Sequence, residues 1–262
     1  VNELALFAGA GGGLLGGRLL GWRTICYVER DFYCQKVIQA RIKDGFLDDA
    51  PIWDDVKTFD GKPWVGLVDV VSAGFPCQPF SVAGKQKGEN DERNMWPDTI
   101  RIIGEIRPRF AFLENVPGLL AHEYVRRIFG DLAALGYDAK WGVLGAHHAG
   151  APHKRDRLWI RAYATCGGLE TKHLPIRQRR SYKTKTYTGG MGKNVANTNH
   201  DSIPHDQQHN ITDFNLDRNV WWSIEPNVGR VANGVASRVD RLKTIGNGQV
   251  PIVASTAWRM LT

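Results

Sequence analysis

Apolar residues between positions 1 and 163 follow two alternating rhythms. Leu4-Ala5-Leu6-Phe7, Thr24-Ile25-Cys26-Tyr27-Val28, Val68-Asp69-Val70-Val71-Ser72-Ala73, Phe110-Ala111-Phe112-Leu113 and Leu158-Trp159-Ile160 are short, nearly continuous apolar runs. Such runs are the signature of strands buried on both faces. Between them the spacing predicts helices over Leu14–Leu20, over Phe32 to about Ile42 with Asp31 as N-cap, over Trp96–Ile106, and over Val125–Leu135 with Gly136 as the stop. Ile100, Ile103 and Ile106 recur at helical spacing, and Pro97 is tolerated in a first turn. A last helix is predicted from Pro251 to Leu261. Strand-helix alternation of this kind predicts an α/β fold, a mostly parallel sheet with helices on both faces. Ligands of such sheets sit beyond the carboxyl ends of the strands. Phe7–Gly13, Glu29, Cys77 and Glu114 all fall at those ends.

The rhythm fails near Thr165. Residues 165–219 are basic, then rich in Asn, His, Asp and Gln, and poor in aliphatics. A segment this long without periodicity reads as a small second lobe or a functional excursion. Residues 164–190 set Lys172, Arg177, Arg179, Arg180, Lys183 and Lys185 against Glu170 alone, a net +5 out of the chain's +7. With a pI near 9.3, that stretch suits phosphate contact, although a solvated basic loop has the same composition. The domain reading is a catalytic and cofactor-binding domain over 1–163, a recognition region over 164–224, and a segment over 225–262 that returns to the catalytic domain.

Other classes are disfavoured. No apolar run approaches the roughly 20 residues of a membrane span, and no secretory signal pattern opens the chain. Cys26, Cys34, Cys77 and Cys166 form no CxxC pair, which favours a reducing cytoplasmic setting. The eight histidines lack a familiar metal spacing, so His147, His148 and His153 read as structural and no metal is expected.

Four local patterns could carry chemistry. Phe7-Ala8-Gly9-Ala10-Gly11-Gly12-Gly13 joins a strand to a helix and permits close backbone approach to a ligand, without being GxGxxG. Glu29 ends the next strand, where an acid can accept from ribose hydroxyls, and Asp55 can hold an adenine amine. Cys77 lies between Pro76 and Pro79 just past a buried strand, which presents a thiol on a stiff backbone; it reads as a buried structural thiol, a redox group or a nucleophile. Glu114 ends another strand and reads either as a strand-end cap or as an acid of raised pKa. Arg155 and Arg157 would share one face of an extended segment.

Phe-x-Gly-x-Gly, Pro76-Cys77-Gln78, Glu114-Asn115-Val116, Arg155-x-Arg157 and Gly246-Asn247-Gly248-Gln249-Val250-Pro251, in this order, resemble the DNA cytosine-5 methyltransferases. The resemblance covers residues 1–163 and about 225–262. It implies a Rossmann-like, S-adenosylmethionine-dependent methyltransferase sheet with a small irregular target-recognition lobe. It implies that Phe7, Gly9, Gly11, Glu29, Asp55, Val56, Pro76, Asn247 and Gly248 hold S-adenosyl-L-methionine, released as S-adenosyl-L-homocysteine. It implies Cys77 as nucleophile, Glu114 as the residue binding N3 and the amino group of cytosine, and Arg155 and Arg157 near the target base. DNA contacts would come from Gln78, Ser81, Lys85, Lys87 and Arg93, from Arg177, Arg179 and Arg180, and from Arg230 and Arg238. The pattern departs from the family at His153, where glutamine is usual, and at Ala83, where some relatives have serine.

The implied reaction is methyl transfer to C5 of a flipped cytosine in a short duplex DNA site, through a covalent cysteine adduct at C6. The implied setting is the cytoplasm of a bacterial or phage-infected cell, with a monomeric enzyme, double-stranded DNA as partner, no membrane, and a cognate restriction endonuclease that is not physically bound. Three rival readings are the same chemistry on transfer RNA, whose added Cys-Phe-Thr signature is absent here, a non-catalytic DNA-binding or cofactor-sensing protein, and a nucleotide-binding oxidoreductase.

Overall fold

A computed structural model describes residues 1–76, 94–165 and 238–262. In chain order these form β1 (Asn2–Leu6), α1 (Gly12–Leu19), β2 (Arg23–Val28), α2 (Phe32–Lys43), β3 (Ile52–Trp53), β4 (Val70–Ala73), α3 (Trp96–Ile106), β5 (Phe110–Asn115), α4 (Tyr124–Ala134), β6 (Tyr137–Leu144), β7 (Arg157–Ala164), α5 (Arg238–Asn247) and α6 (Pro251–Met260). Among these, no helix is long and apolar enough to cross a membrane.

The seven strands form one sheet in the order β3-β2-β1-β4-β5-β7-β6. The pairs β3/β2, β2/β1, β1/β4 and β4/β5 are parallel. The pairs β5/β7 and β7/β6 are antiparallel. The parallel core is therefore as expected, and the antiparallel β6–β7 hairpin at one edge was not anticipated. The chain passes outward from β1 in both directions, so the sheet reverses its winding beside β1 and β4. A crevice opens at such a switch point, beyond the carboxyl ends of the strands.

Alternation along the strands sets the two layers. Leu4, Leu6, Val71, Ala73, Ala111 and Leu113 face α3 and α4, where they meet Trp96, Ile102, Ile103, Ile106, Ile128 and Leu132. Each of these isoleucines is at most 1% exposed, and burial of one stabilises the fold by about 1.5–3 kcal/mol. On the opposite face Val70, Phe112 and Trp159 pack against Val253, Ala254 and Ala257 of α6, while Ala5 and Tyr27 pack against Leu14 of α1 and Ile38 of α2. Trp258 adds edge-on contacts to Trp22, Phe110 and Phe112 at 4.6–5.3 Å.

The C-terminal segment closes on α1 because α1 has little side-chain bulk. A Cβ on Gly12 would lie 2.4 Å from the Gln249 carbonyl oxygen, and one on Gly16 would lie 2.8 Å from Ala254 Cβ. The G12A variant is accordingly expected to lose about 1–3 kcal/mol of stability in urea unfolding, since a backbone oxygen cannot swing aside as a flexible side chain can. Unchanged unfolding would show that the 249–250 turn accommodates a methyl group.

Candidate active site

A cavity of about 760 Å³ opens at the switch point. Its wall is built from the turns after β1, β2, β4 and β5, from the segment after β3, and from the α5–α6 turn. The turn after β1 carries backbone torsions that favour glycine: φ is 54° at Phe7, 55° at Gly9 and 93° at Gly11. A left-handed phenylalanine at this rim is a strained position of the kind that gathers at binding sites. Phe7 and Gly9 line the cavity, whereas Gly11 does not; it is the left-handed residue just before α1.

Glu29 clasps this turn. Its Oε2 accepts from Gly9 N at 2.7 Å and its Oε1 from Asp31 N at 2.7 Å. Burial pushes the carboxyl up from its ordinary range against the pull of those N–H groups. Each oxygen keeps a lone pair for a further donor on the cavity side. Asp31 in turn caps α2, accepting from Tyr33 N and Cys34 N at 3.0 and 3.3 Å, and pairs with Lys243 of α5 at 2.8 Å. The Lys243 ammonium holds the Asp31 carboxyl below its usual range.

Asp55 and Val56 reach the same end of the cavity. Their turn is fastened from α3 by a residue that sequence reasoning passed over. Arg101 donates to the carbonyls of Val56 and Phe59, both at 2.9 Å, and pairs with Glu105 at 2.9 Å. Glu105 also accepts from Gly61 N at 2.8 Å. In sequence Arg101 is one cation on an amphipathic helix, and nothing there marks it.

At the other end stands Glu114, on the last turn of β5. Arg157 Nε lies 2.9 Å from its Oε1, and Gln249 Nε2 donates to its Oε2 at 3.3 Å. Burial raises the carboxyl above its ordinary value and outweighs the opposing influence of Arg157 and Gln249. The side chain is only 12% exposed, so the group is a carboxylic acid reluctant to ionise. Gln249 is the second residue missed. It lay within the quoted Gly-Asn-Gly-Gln-Val-Pro run without a role, yet its amide touches Glu114 and would collide with a Cβ on Gly74 at 2.9 Å. Asn115 is the third: its Nδ2 donates to the Phe75 carbonyl at 3.1 Å, and so ties the end of β5 to the segment that leads into Cys77.

The two arginines do not share a strand. Arg155 is left-handed, with φ 42°, and precedes β7, which Arg157 begins. Arg157 lines the cavity. The Arg155 guanidinium donates to the carbonyls of Gly246 and Gly248, which ties it to the α5–α6 turn. Asn247, Gly248 and Pro76 line the cavity. Cys77, Gln78, Ser81, Lys85, Lys87, Arg93, Arg177, Arg179, Arg180 and Arg230 lie outside the described residues, and Arg238 is described only as the start of α5.

Comparison with known proteins agrees with this arrangement. The profile of the C-5 cytosine-specific DNA methylases matches residues 1–255. The chain is 36% identical over 160 residues to the type II methyltransferase M.NgoMIV of Neisseria gonorrhoeae, covering 60% of this chain and 50% of that protein. It is 31% identical over 199 residues to the type II methyltransferase M.HpaII of Haemophilus parainfluenzae, covering 70% and 54%. The chain thus spans about half the length of these curated relatives. Its fold superposes on a crystal structure of a Spodoptera frugiperda DNMT2 mutant with a TM-score of 0.52 at 20% identity, over 69% of this chain and 53% of that one. An α/β sheet with its crevice at the switch point, a strand-end glutamate beside an arginine, and a match over nearly the whole chain place this protein in the C-5 cytosine-specific DNA methylase family.

Proposed function

We propose that the chain transfers a methyl group from S-adenosyl-L-methionine to C5 of a cytosine turned out of duplex DNA. The observation that carries this reading is the single cavity that joins the Gly9–Glu29 clasp at one end to Glu114 at the other. Its volume is within the roughly 300–1,000 Å³ range of small-molecule sites. Phe7, Gly9, Glu29, Asp55 and Val56 would hold the adenosine part, and Asn247 and Gly248 the amino-acid part. When bound, the cofactor supplies an electrophilic methyl group on a sulfonium.

The chain's own residues do the rest. C5 of cytosine is too weak a nucleophile to take a methyl group directly. Addition of the Cys77 thiolate to C6, with the proton of Glu114 shared to N3, gives C5 enamine character. After C5 has taken the methyl group, loss of its proton and expulsion of the thiolate restore the ring. Glu114 is suited to the N3 role because its burial keeps it protonated at a higher pH than an exposed glutamic acid. Cys77 cannot reach C6 inside a stacked duplex, and turning the base out costs a few kcal/mol. Lys85, Lys87, Arg93 and the arginines at 177, 179 and 180 would offset that cost through phosphate contacts. The natural setting of this activity is the cytoplasm of a bacterial or phage-infected cell.

Duplex DNA carrying 5-fluorocytosine tests the proposal, because fluorine at C5 cannot leave as the proton does. Incubated with cofactor, the protein should form a complex stable to denaturation, attached through residue 77 by peptide mass. The same assay with transfer RNA separates the substrates. Methyl transfer to DNA without an adduct would overturn the covalent route, and label in RNA alone would overturn the DNA assignment.

A further inference from the structure

Two side chains fasten the Glu114 carboxyl, one on each oxygen. Arg157 Nε meets Oε1 at 2.9 Å from the start of β7, and Gln249 Nε2 donates to Oε2 at 3.3 Å from the α5–α6 turn. A carboxyl oxygen has two lone-pair directions. One on each oxygen is taken by a donor fixed in the wall, and one on each remains for a ligand. The carbonyl oxygen is the better acceptor of a neutral carboxyl, and the charged guanidinium makes the stronger bond. Arg157 therefore claims Oε1 as the carbonyl oxygen, and the acid proton resides on Oε2, beside Gln249. The open edge of the group then presents an O–H next to an acceptor, the complement of N3 and the amino group of cytosine.

Gln249 is itself placed from three directions. Arg155 donates to the carbonyls of Gly246 and Gly248, and Gly248 N donates to Thr244 O at 2.9 Å, which fixes the turn that bears it. On the α1 side, a Cβ on Gly13 would strike Gln249 Oε1. On the β4 side, a Cβ on Gly74 would lie 2.9 Å from Gln249 Nε2 and 3.0 Å from Glu114 Oε2. The hydrogen-bonded pair thus fills the room that a side chain at position 74 would take. Asn247 and Gly248 line the cavity just before it. The turn proposed to hold the amino-acid part of the cofactor therefore carries, one residue on, the amide that holds the acid.

We propose that Gln249 is a positioning residue, whose amide holds the Glu114 carboxyl so that its Oε2 proton faces the base, and which ties the acid to the turn at the cofactor's amino-acid end. This role presupposes the methyl-transfer reading above, and Gln249 makes or breaks no covalent bond in it. Among the described residues, the charges that face Glu114 are Arg157 at the start of β7 and Arg155 before it. Both pull the carboxyl down, as does the Gln249 N–H, while burial raises it. Loss of the amide therefore loosens the acid and raises it further. Transfer slows although the proton is kept to higher pH. A residue that merely filled the wall would slow transfer and leave the pH dependence where it was.

Q249M keeps the length of the side chain and loses the N–H. At saturating cofactor it should slow single-turnover transfer about 3–10-fold, with the alkaline decline displaced to higher pH. Q249E sets a second carboxyl against the first and should displace the decline further. Infrared difference spectra of the substrate-free protein follow the protonated-carboxyl band that E114Q abolishes, and this band should persist to higher pH in both variants. A Glu114 band that titrates in Q249M as in the wild type, or undiminished transfer by Q249M, would overturn the proposal. The two readings fail separately. A displaced band in a protein that methylates no cytosine sinks the reaction and leaves the hold on Glu114, whereas transfer with an unmoved band sinks the hold alone. Circular dichroism checks folding; should one variant fail to fold, the band in the other decides.

Discussion

Glu114→Gln lowers the rate of methyl transfer by about 10²–10⁴-fold, the span that a positioned acid contributes, while S-adenosylmethionine binding stays near its wild-type value. Glutamine keeps the size of the side chain and can still accept from Arg157, so the cavity wall survives. What it lacks is a proton to share with N3 when the thiolate adds. The pH profile carries a second signature. Burial raises the carboxyl, so the protonated form persists to higher pH than in an exposed glutamic acid and is lost as pH rises through the shifted value. Wild-type transfer therefore declines on the alkaline side, and the variant loses that limb along with most of its rate. Single-turnover assays with labelled cofactor across pH, beside calorimetric cofactor binding, check both. A variant with wild-type turnover would remove Glu114 from the chemistry.

Stability falls as pH rises from about 4.5 to about 7, and Glu3 is the cause. This carboxyl is 1% exposed on β1, where Ser72 and Thr24 hydroxyls donate to it at 2.5 and 2.9 Å and Asp48 adds repulsion. Burial pushes it from 4.5 to about 7. Within that window the folded chain keeps a proton that the unfolded chain has released. The contribution is complete below the unfolded value and disappears as pH rises through the folded one. The displacement corresponds to about 3 kcal/mol. Glu3→Gln should flatten this slope, leaving the smaller share from the raised Glu29 and Glu114 carboxyls, and should be less stable than wild type at pH 5 and equal or better at pH 8, in urea unfolding at each pH. Parallel slopes for the two proteins would place the titration elsewhere.

The parallel core was legible because its strands are buried on both faces and therefore spelled in continuous apolar letters. Phe110–Leu113 and Val70–Ala73 could hardly be anything else. β6 was missed because an edge strand need not alternate cleanly: Trp141 and Val143 are 52% and 42% exposed. β3 was missed because two residues carry no period. In the site, Glu29 and Glu114 could be found because an acid at the end of an apolar strand is conspicuous. Arg101, Asn115 and Gln249 could not, since the carbonyls and the carboxylate they reach, at Val56, Phe59, Phe75 and Glu114, lie far away in sequence. Arg155 was misjudged because alternation assumes an extended backbone, and this residue is left-handed.

The opposed direction of β7 beside β5 has a consequence for tolerance to insertion. Asn115 pairs with Leu158, so Arg157 meets Glu114 only in this alignment of the two strands. A slide of two positions would preserve which side chains point inward, yet it would carry the guanidinium about 7 Å along the strand. Residues added to or removed from the hairpin loop could therefore leave the hydrophobic layers content while disengaging the acid, which makes loop length there a matter of chemistry as much as of folding.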